Sequence, residues 1–190
     1  MILKTRIEKR SPILAVVLLA IALCAMALLG GCSGQVDSEG SGESVSVTDG
    51  VGRVVEIPAG LNRIAALDSF ASEAVVMCGA GSQLCGCPAG TKSDEILCEI
   101  YPGLSEVSVP LSGGTVNIES LAASDPDVVL VKSSLYYSEG ETEKLDKMGI
   151  PYLVVEYSTM DEQIAALEMI GKVCGGSGEQ KMADICDYYR

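Results

Sequence analysis

The sequence predicts an α/β fold: a mainly parallel sheet with helices on both faces, preceded by a short N-terminal β-hairpin. Short apolar runs alternate with helical segments along the chain, and polar capping residues precede several of these segments. The run 127–131 is wholly apolar after its first residue, as in a strand that is buried on both faces. Ligands of such sheets bind beyond the carboxyl ends of the strands.

The first 31 residues have the layout of a secretory signal. Four basic residues lie within Met1–Arg10, and the apolar run Ile13–Leu29 that follows contains no charge. This run is shorter than the about 20 residues that comfortably span a bilayer, so a plain membrane anchor is the less favoured interpretation.

The junction Leu29-Gly30-Gly31-Cys32 resembles the lipobox of bacterial lipoproteins. That resemblance implies cleavage before Cys32 and attachment of a diacylglycerol, with fatty acids such as palmitate, to its thiol. Residues 32–43 are rich in glycine, serine and acids, which is typical of a flexible tether. We therefore expect a protein that is lipid-anchored on the extracytoplasmic face of the cell membrane.

The composition excludes several classes of function. Without residues 1–31 the chain keeps nine basic and twenty-five acidic residues, a net charge near −16 that repels phosphate backbones and argues against nucleic-acid binding. The chain has no histidine, which excludes Ser-His-Asp triads, Cys-His pairs and imidazole zinc sites. We expect neither an enzyme nor a resident cofactor or metal.

Six cysteines follow the lipid cysteine: Cys78, Cys85, Cys87, Cys98, Cys174 and Cys186. Buried thiols are the favoured interpretation, because Cys85 and Cys87 lie at a spacing of two, on one face of a predicted strand. One or two disulfides rank second, since the number is even and the chain is exported. A thiolate metal site formed by the first four cysteines ranks third.

The elements follow in order along the chain. Residues 44–48 and 53–57 are the two strands of the hairpin, joined by a turn at Asp49–Gly52. The alternation then begins with the strand 63–67 and the helix 70–78, for which Ser69 is the predicted cap. A strand at 83–87, a short helix at 93–101 and a short strand at 106–109 come next.

The second half of the chain continues this alternation. Asn117 caps the helix 118–123, and the buried strand 127–131 follows. Ser138 and Glu141 predict a capping box for the helix that ends at Met148. After the strand 152–156, Thr159 and Glu162 predict a second capping box, in a helix with Ile164, Leu167 and Ile170 facing inward. The alternation predicts a Rossmann-like lobe over residues 44–174.

A last helix begins near Ser177 and presents an apolar face of Met182, Ile185, Cys186 and Tyr189. The chain stops at Arg190 in the middle of this pattern, without a stop residue. We therefore expect a fragment whose last helix leaves this face uncovered and frays after Gly175, while residues 44–174 fold on their own.

The segment from Ser44 to Arg190 resembles the N-terminal lobe of ABC-transporter solute-binding proteins of the iron-siderophore, haem and cobalamin type. The residues that carry the resemblance are Val47–Arg53, Arg63–Leu67, Ser72-Glu73, Gly79–Gly81, Asn117–Leu130 and Lys147–Pro151. The resemblance implies two α/β lobes joined by one long helix, with the ligand clamped between them. Here only the first lobe and, at 175–190, the start of the interlobe helix are present.

The resemblance also implies a permease partner. The glutamate that docks onto the permease in this family matches Glu119, and Glu73 is the alternative. A carboxylate in the first turn of a helix is favoured by the helix dipole and stays free to pair. Both residues also have a purely structural interpretation as exposed acids on helices.

Ligand contacts are expected from the loops after the strands. The predicted contact residues are Ser69, Phe70, Pro88, Thr115, Lys132, Ser133, Tyr136 and Tyr157. Lys132 beside Tyr136 and Tyr137 suits an anionic or aromatic chelate, although these tyrosines have an equally good interpretation as cover for the sheet edge. Family members that bind bare metal ions use histidines, so a metal inside an organic chelate is preferred.

The leading hypothesis is thus a lipid-anchored receptor that delivers an iron chelate, haem or corrinoid to an importer. The alternative from another class is a thiol-based redox or metal-handling lipoprotein that uses Cys85 and Cys87. A structural or adhesive lipoprotein is the third interpretation.

Overall fold

The computed structural model describes residues 43–190. The predicted signal 1–31, the predicted lipid-bearing Cys32 and all but the last residue of the predicted tether lie outside the described residues. Within residues 43–190 no helix is both long and apolar enough to cross a membrane.

The described residues form eight strands, eight α-helices and two 3-10 turns. The strands are β1 (Ser44–Thr48), β2 (Val54–Pro58), β3 (Ile64–Ala66), β4 (Leu84–Gly86), β5 (Leu111–Ser112), β6 (Thr115–Val116), β7 (Val128–Lys132) and β8 (Tyr152–Val155). The helices are α1 (Ser69–Met77), α2 (Ala89–Lys92), α3 (Glu95–Ile100), α4 (Ile118–Ala123), α5 (Ser133–Tyr136), α6 (Glu141–Met148), α7 (Met160–Cys174) and α8 (Gly176–Tyr189). The 3-10 turns are Gly81–Gln83 and Pro102–Glu106.

The main sheet has four parallel strands in the order β4-β3-β7-β8, as the α/β prediction requires. Successive residues of β7 and β8 alternate between two apolar clusters, one on each face of the sheet. The first cluster contains Ile170 of α7 and Val75 of α1, and the second contains Leu121 of α4 and Leu145 of α6. The predicted three-layer architecture, with helices on both faces, is confirmed.

The N-terminal hairpin β1-β2 is joined to the edge of the main sheet by Asp49. Its buried carboxylate accepts hydrogen bonds from Arg53 Nη2 at 2.8 Å, from the Arg53 backbone N–H at 2.9 Å and from the Val154 N–H at 3.1 Å. The Gly50 N–H donates to the Val154 carbonyl at 2.8 Å. A Cβ atom on Gly50 would lie 2.6 Å from the Glu156 backbone nitrogen, so only glycine fits here. Strand β8 is an edge strand of the main sheet, and these bonds supply hydrogen-bond partners to backbone groups that an edge strand otherwise leaves unpaired.

Two of the predicted helix starts are wrong in detail. The cap of α1 is Asp68, whose side chain accepts from the Ala71 N–H at 3.2 Å, and Ser69 is the first helical residue. The capping box of Ser138 and Glu141 does not form. Helix α6 is preceded by Gly140, whose backbone is in the left-handed conformation. The Glu141 carboxylate instead accepts hydrogen bonds from the Val116 N–H at 2.9 Å and from Lys144 Nζ at 2.7 Å.

The predicted strand 106–109 and helix 93–101 also differ from the structure. Residues 102–106 form a 3-10 turn that begins at Pro102. Of the predicted strand 106–109, only Ser108 pairs with the sheet, through an isolated bridge to Gly86. The predicted helix is present as α3 but begins two residues later, because Asp94 caps it by accepting from the Leu97 N–H at 2.9 Å, and the short helix α2 lies before the predicted start. By contrast, the caps predicted at Asn117 and Thr159 are confirmed, the latter as a complete capping box.

Helix α8 packs against α7 more completely than the sequence suggests. Met182 and Cys186 are 1% and 0% exposed, so the expectation that this face is uncovered is wrong for both. Ile185 is half-buried, and Tyr189 remains 53% exposed. The covering surface is supplied by α1 and α7, whose residues belong to the same apolar cluster as Met182 and Cys186.

Candidate functional site

The strand order places a natural binding crevice between β3 and β7. The chain leaves β3 towards β4 on one side and leaves β7 towards β8 on the other. At such a switch point the two loops diverge and open a crevice beyond the carboxyl ends of the strands.

A cavity of about 320 Å³ lies at this point. It is lined by Leu67, Asp68, Ser69, Pro88, Leu111, Gly114, Lys132, Ser134, Leu135 and Ser138. Three of the predicted contact residues, Ser69, Pro88 and Lys132, line it directly. Thr115 and Ser133 are absent from this lining, although their neighbours Gly114 and Ser134 belong to it.

The wall formed by α1 and α2 is held by buried hydroxyl groups. Ser72 Oγ lies 2.9 Å from Thr91 Oγ1 and donates to the Asp68 carbonyl at 3.0 Å. Ser72 and Thr91 are almost fully buried, so they fix the start of α2 against α1. Because Pro88 precedes α2 directly, its position in the cavity wall is fixed as well.

Lys132 supplies a cation to the cavity. It is the last residue of β7, and its side chain is exposed. It has no ion-pair partner among residues 43–190, whereas Asp68, on the neighbouring loop, uses its carboxylate to cap α1. A free ammonium group at the mouth of a crevice attracts anionic ligands.

Phe70 and Tyr157 contact each other, but neither of them lines the cavity. Their ring centroids are 4.5 Å apart, with the planes tilted by 43°. Partial burial and then the charges of Asp68 and Glu73 raise the pKa of Tyr157, so its hydroxyl stays protonated at neutral pH. Phe70 also lines a separate apolar groove of about 300 Å³ between α1, α7 and α8, which includes Met77 and Met160.

Tyr136 lies apart from the other predicted contact residues. The Arg53 guanidinium is 4.9 Å from its ring centroid and 4.5 Å from that of Tyr152. Tyr137 contacts it edge to face at 5.1 Å and is 68% exposed. This stacking favours the interpretation of Tyr136 as cover for the sheet edge.

The two candidate docking residues differ in their surroundings. Glu119 is exposed in the first turn of α4, next to the Asn117 cap. Glu73 is exposed on α1, but partial burial and then the charges of Asp94 and Asp68 raise its pKa. The two carboxylates thus differ in that Glu73 belongs to an acidic group with Asp68 and Asp94.

Cys85 and Cys87 do not form an exposed thiol site. Both are buried, and burial raises the pKa of Cys85 and raises that of Cys87 to about 11. They also belong to different apolar clusters, so the prediction that they share one face is wrong. Strand β4 ends at Gly86, and the alternation of faces stops there. Across residues 43–190 no three potential metal-binding side chains lie close enough to hold an ion.

Sequence reasoning missed Leu111 in the cavity and the cap of α1. The loops that contain Asp68 and Gly114 are among those expected to supply ligand contacts, but Leu111 lies in the small hairpin β5-β6, and strands of two residues have no readable period. The cap was assigned to Ser69 in place of Asp68. Its signal was present, because aspartate is as good a helix cap as serine and stands one residue earlier.

The fold is similar to that of solved periplasmic binding proteins. The molybdate-binding protein MolA of Haemophilus influenzae has a TM-score of 0.66 and 22% identity, over 75% of this chain and 49% of that protein. The iron-uptake protein PiuA of Streptococcus pneumoniae has a TM-score of 0.61 and 19% identity, over 76% and 49%. The vitamin B12 binding protein BtuF of Vibrio cholerae has a TM-score of 0.51 and 21% identity, over 65% and 46%.

No protein-family model and no curated protein match the sequence at a significant level. The chain spans about half the length of the solved structures that it matches. At these identities the likeness shows the fold alone, and it confirms the predicted fold: an α/β lobe with a parallel sheet, as in these binding proteins.

Proposed function

We propose that this chain is the N-terminal lobe of a lipid-anchored solute-binding protein that delivers its ligand to an ABC importer. The single observation that carries the proposal is the cavity at the β3-β7 switch point, with Lys132 at its mouth. Solved proteins with this fold include receptors for iron uptake and vitamin B12 and a molybdate-binding protein.

The ligand class follows from the chemistry of the cavity wall. One lysine ammonium and several serine hydroxyls suit an anionic ligand with oxygen acceptors. Outside the cavity lining, the pair of Phe70 and Tyr157 offers apolar ring surface of the kind that suits a macrocycle or an aromatic chelate. We therefore propose an iron-siderophore complex, haem or a corrinoid as the ligand.

One lobe provides only one side of a clamp, so the affinity of this chain alone should be low. The test is NMR titration of the soluble chain from residue 33 with gallium-siderophore complexes, cobalamin and molybdate. We expect millimolar binding, with amide shifts confined to the cavity at residues 67–69, 88, 111–114 and 132–138.

Lys132→Ala should abolish the shifts caused by anionic ligands, because it removes the cation at the cavity mouth. Lys147→Ala, on the exposed surface of α6, is the matched control and should leave them unchanged. Shifts at other surfaces, or none with any of these ligands, would contradict the proposal.

The alternative thiol function makes a different prediction. A catalytic or metal-handling thiol has to be accessible and of low pKa, whereas Cys85 and Cys87 are buried and have raised pKa values. Reaction with a thiol-specific chromogenic disulfide should therefore be slow in the folded chain and fast in urea. Rapid reaction of either thiol in the folded chain would favour the alternative.

A further inference from the structure

Two cysteines from distant parts of the chain meet beneath the first turn of α8. Cys78 follows the last residue of α1, and Cys174 is the last residue of α7. Both side chains pack against Gly178: a Cβ atom on that glycine would lie 3.0 Å from Cys174 Cβ and 3.5 Å from Cys78 Sγ. Cys78 is 0% exposed and Cys174 is 6% exposed, so the pair is enclosed.

Lys181 adds a positive charge at this place. Its Nζ would lie 2.6 Å from a Cβ atom on Gly79, the residue directly after Cys78. A hydrogen bond from the Cys174 thiol is the largest cause that lowers the pKa of Cys78 to about 7, and Lys181 contributes to it. The same hydrogen bond, together with burial, raises the pKa of Cys174. Cys78 is thus the more acidic thiol of the pair and the one that supplies the attacking thiolate, and Cys174 is its protonated partner.

We infer that Cys78 and Cys174 form a disulfide in the exported protein and thereby fasten the end of α1 to the end of α7. The inference rests on the proposed extracytoplasmic location, because disulfides persist in oxidising compartments. It concerns the stability of the lobe and is independent of which ligand the cavity binds.

The oxidant is a disulfide, supplied by a small molecule or by a thiol-oxidising protein. The Cys78 thiolate attacks one sulfur of that disulfide and expels the first thiolate, which forms a mixed disulfide. Cys174 then loses its proton and attacks the Cys78 sulfur, which expels the second thiolate. Two protein thiols are oxidised to one disulfide, and the oxidant is reduced to two thiols.

The enclosed position of the pair has a kinetic consequence. An oxidant reaches Cys78 only when the first turn of α8, which contains Gly178, moves away from the two sulfurs and exposes them. Gly175 and Gly176, both at positive φ, join α7 to α8 at this point. Once formed, the disulfide is covered by the same turn, so it resists reduction in the folded protein.

The test uses the full chain, purified in detergent and incubated in a glutathione redox buffer. Remaining thiols are then alkylated, and the protein is digested with trypsin without reduction. Cleavage after arginine and lysine places Cys78 in the peptide 64–92 and Cys174 in the peptide 173–181. Because this experiment uses purified protein, it is independent of export and of ligand binding.

We expect these two peptides to be linked in the oxidised sample and released by reduction. Cys78→Ser and Cys174→Ser should each lose the link, whereas Cys85→Ser, in the same tryptic peptide as Cys78, should keep it. Oxidation should raise Tm by about 10 °C, because the link closes a loop of nearly one hundred residues in the unfolded chain.

Two results would overturn the inference. One is complete alkylation of the peptide 173–181 in oxidising buffer, measured on the unsubstituted chain so that no variant has to fold. The other is linkage of the peptide 64–92 to 93–132, which contains Cys98, in place of 173–181.

Discussion

At the scale of single residues, the Asp49 carboxylate joins the N-terminal hairpin to the main sheet. It satisfies Arg53 from its own hairpin and the Val154 N–H from the main sheet. Its side chain is fully buried, whereas that of Arg53 is 31% exposed. The sequence predicts only a turn at Asp49. It does not reveal the bond with Val154, because the two residues are more than one hundred positions apart in the chain.

Asp49→Ala should lower the free energy of unfolding by about 3 kcal/mol, because it leaves the Val154 N–H and the Arg53 guanidinium without their acceptor. Urea unfolding of the soluble chain followed by circular dichroism measures this. Glu56→Ala, which removes an exposed carboxylate from the same hairpin, is the control and should change the free energy of unfolding much less. Equal effects of the two substitutions would argue against the proposed role of Asp49.

Glu119 is the residue on which the proposed permease contact depends. In the complete two-lobe protein, Glu119→Ala should weaken docking by about 2 kcal/mol, roughly 30-fold, if its cationic partner is left buried. Ligand affinity should stay the same, because α4 contributes no residue to the lining of the cavity. Uptake assays and equilibrium ligand binding measure the two effects, and Glu95→Ala on α3 is the control. Normal uptake by Glu119→Ala would point to Glu73 or to another surface.

At the scale of elements, α6 is tied to the small hairpin by one carboxylate. The hydrogen bond from Lys144, followed by that from the Val116 N–H, lowers the pKa of Glu141 from 4.5. A lowered folded-state pKa means that folding favours the ionised form. This contribution is complete above about pH 4.5 and is lost as the pH falls through the lowered value.

Stability should therefore decline as the pH falls below about 4.5, and Glu141→Gln should make this decline shallower. Urea unfolding at a series of pH values between about 3 and 7 measures the slope. Glu143→Gln is the matched control on the same helix. The Glu143 side chain is 71% exposed, and its Oε2 lies 3.9 Å from Lys147 Nζ, so this exposed ion pair contributes little to stability. An unchanged slope for Glu141→Gln would contradict the assignment.

Helix α8 shows how packing changes an expectation based on sequence. A helix of this length is marginal without partners, which is why fraying was expected. The structure supplies partners in α1 and α7, so α8 should be protected from amide hydrogen exchange from about Met182 onward.

Met182→Ala should cost about 3 kcal/mol, because it removes a fully buried side chain and leaves a cavity. It should also increase exchange in residues 176–190 while leaving α6 unchanged. Met77→Ala, at a 54% exposed methionine of α1, is the control and should have little effect. Rapid exchange of α8 in the unsubstituted chain would restore the original expectation of fraying.

At the scale of the whole molecule, the proposed function requires anchoring outside the cytoplasm. Cys32→Ala should abolish incorporation of a labelled fatty acid and leave uncleaved precursor in the membrane, because the thiol is the only proposed lipid acceptor. Metabolic labelling and the apparent mass of the chain measure this. Cys186→Ala, a substitution in the folded lobe, is the control, and undiminished label on Cys32→Ala would contradict the lipoprotein assignment.

The sequence by itself determined the α/β class, the order of the longer strands and helices, and several of the helix caps. These features depend on interactions between residues a few positions apart, such as the capping box of Thr159 and Glu162, or on the period of apolar residues in a strand. Their physical cause is local, so one sequence is enough to read them.

Only the tertiary structure decided which distant residues meet. The docking of Asp49 on Val154, the separation of Cys85 from Cys87 and the meeting of Cys78 with Cys174 all depend on strand order and on the packing of helices. The same holds for the cavity, which unites three loops and the small hairpin β5-β6. Contacts of this kind are set by the free energy of the whole packed core, which no local pattern of residues specifies.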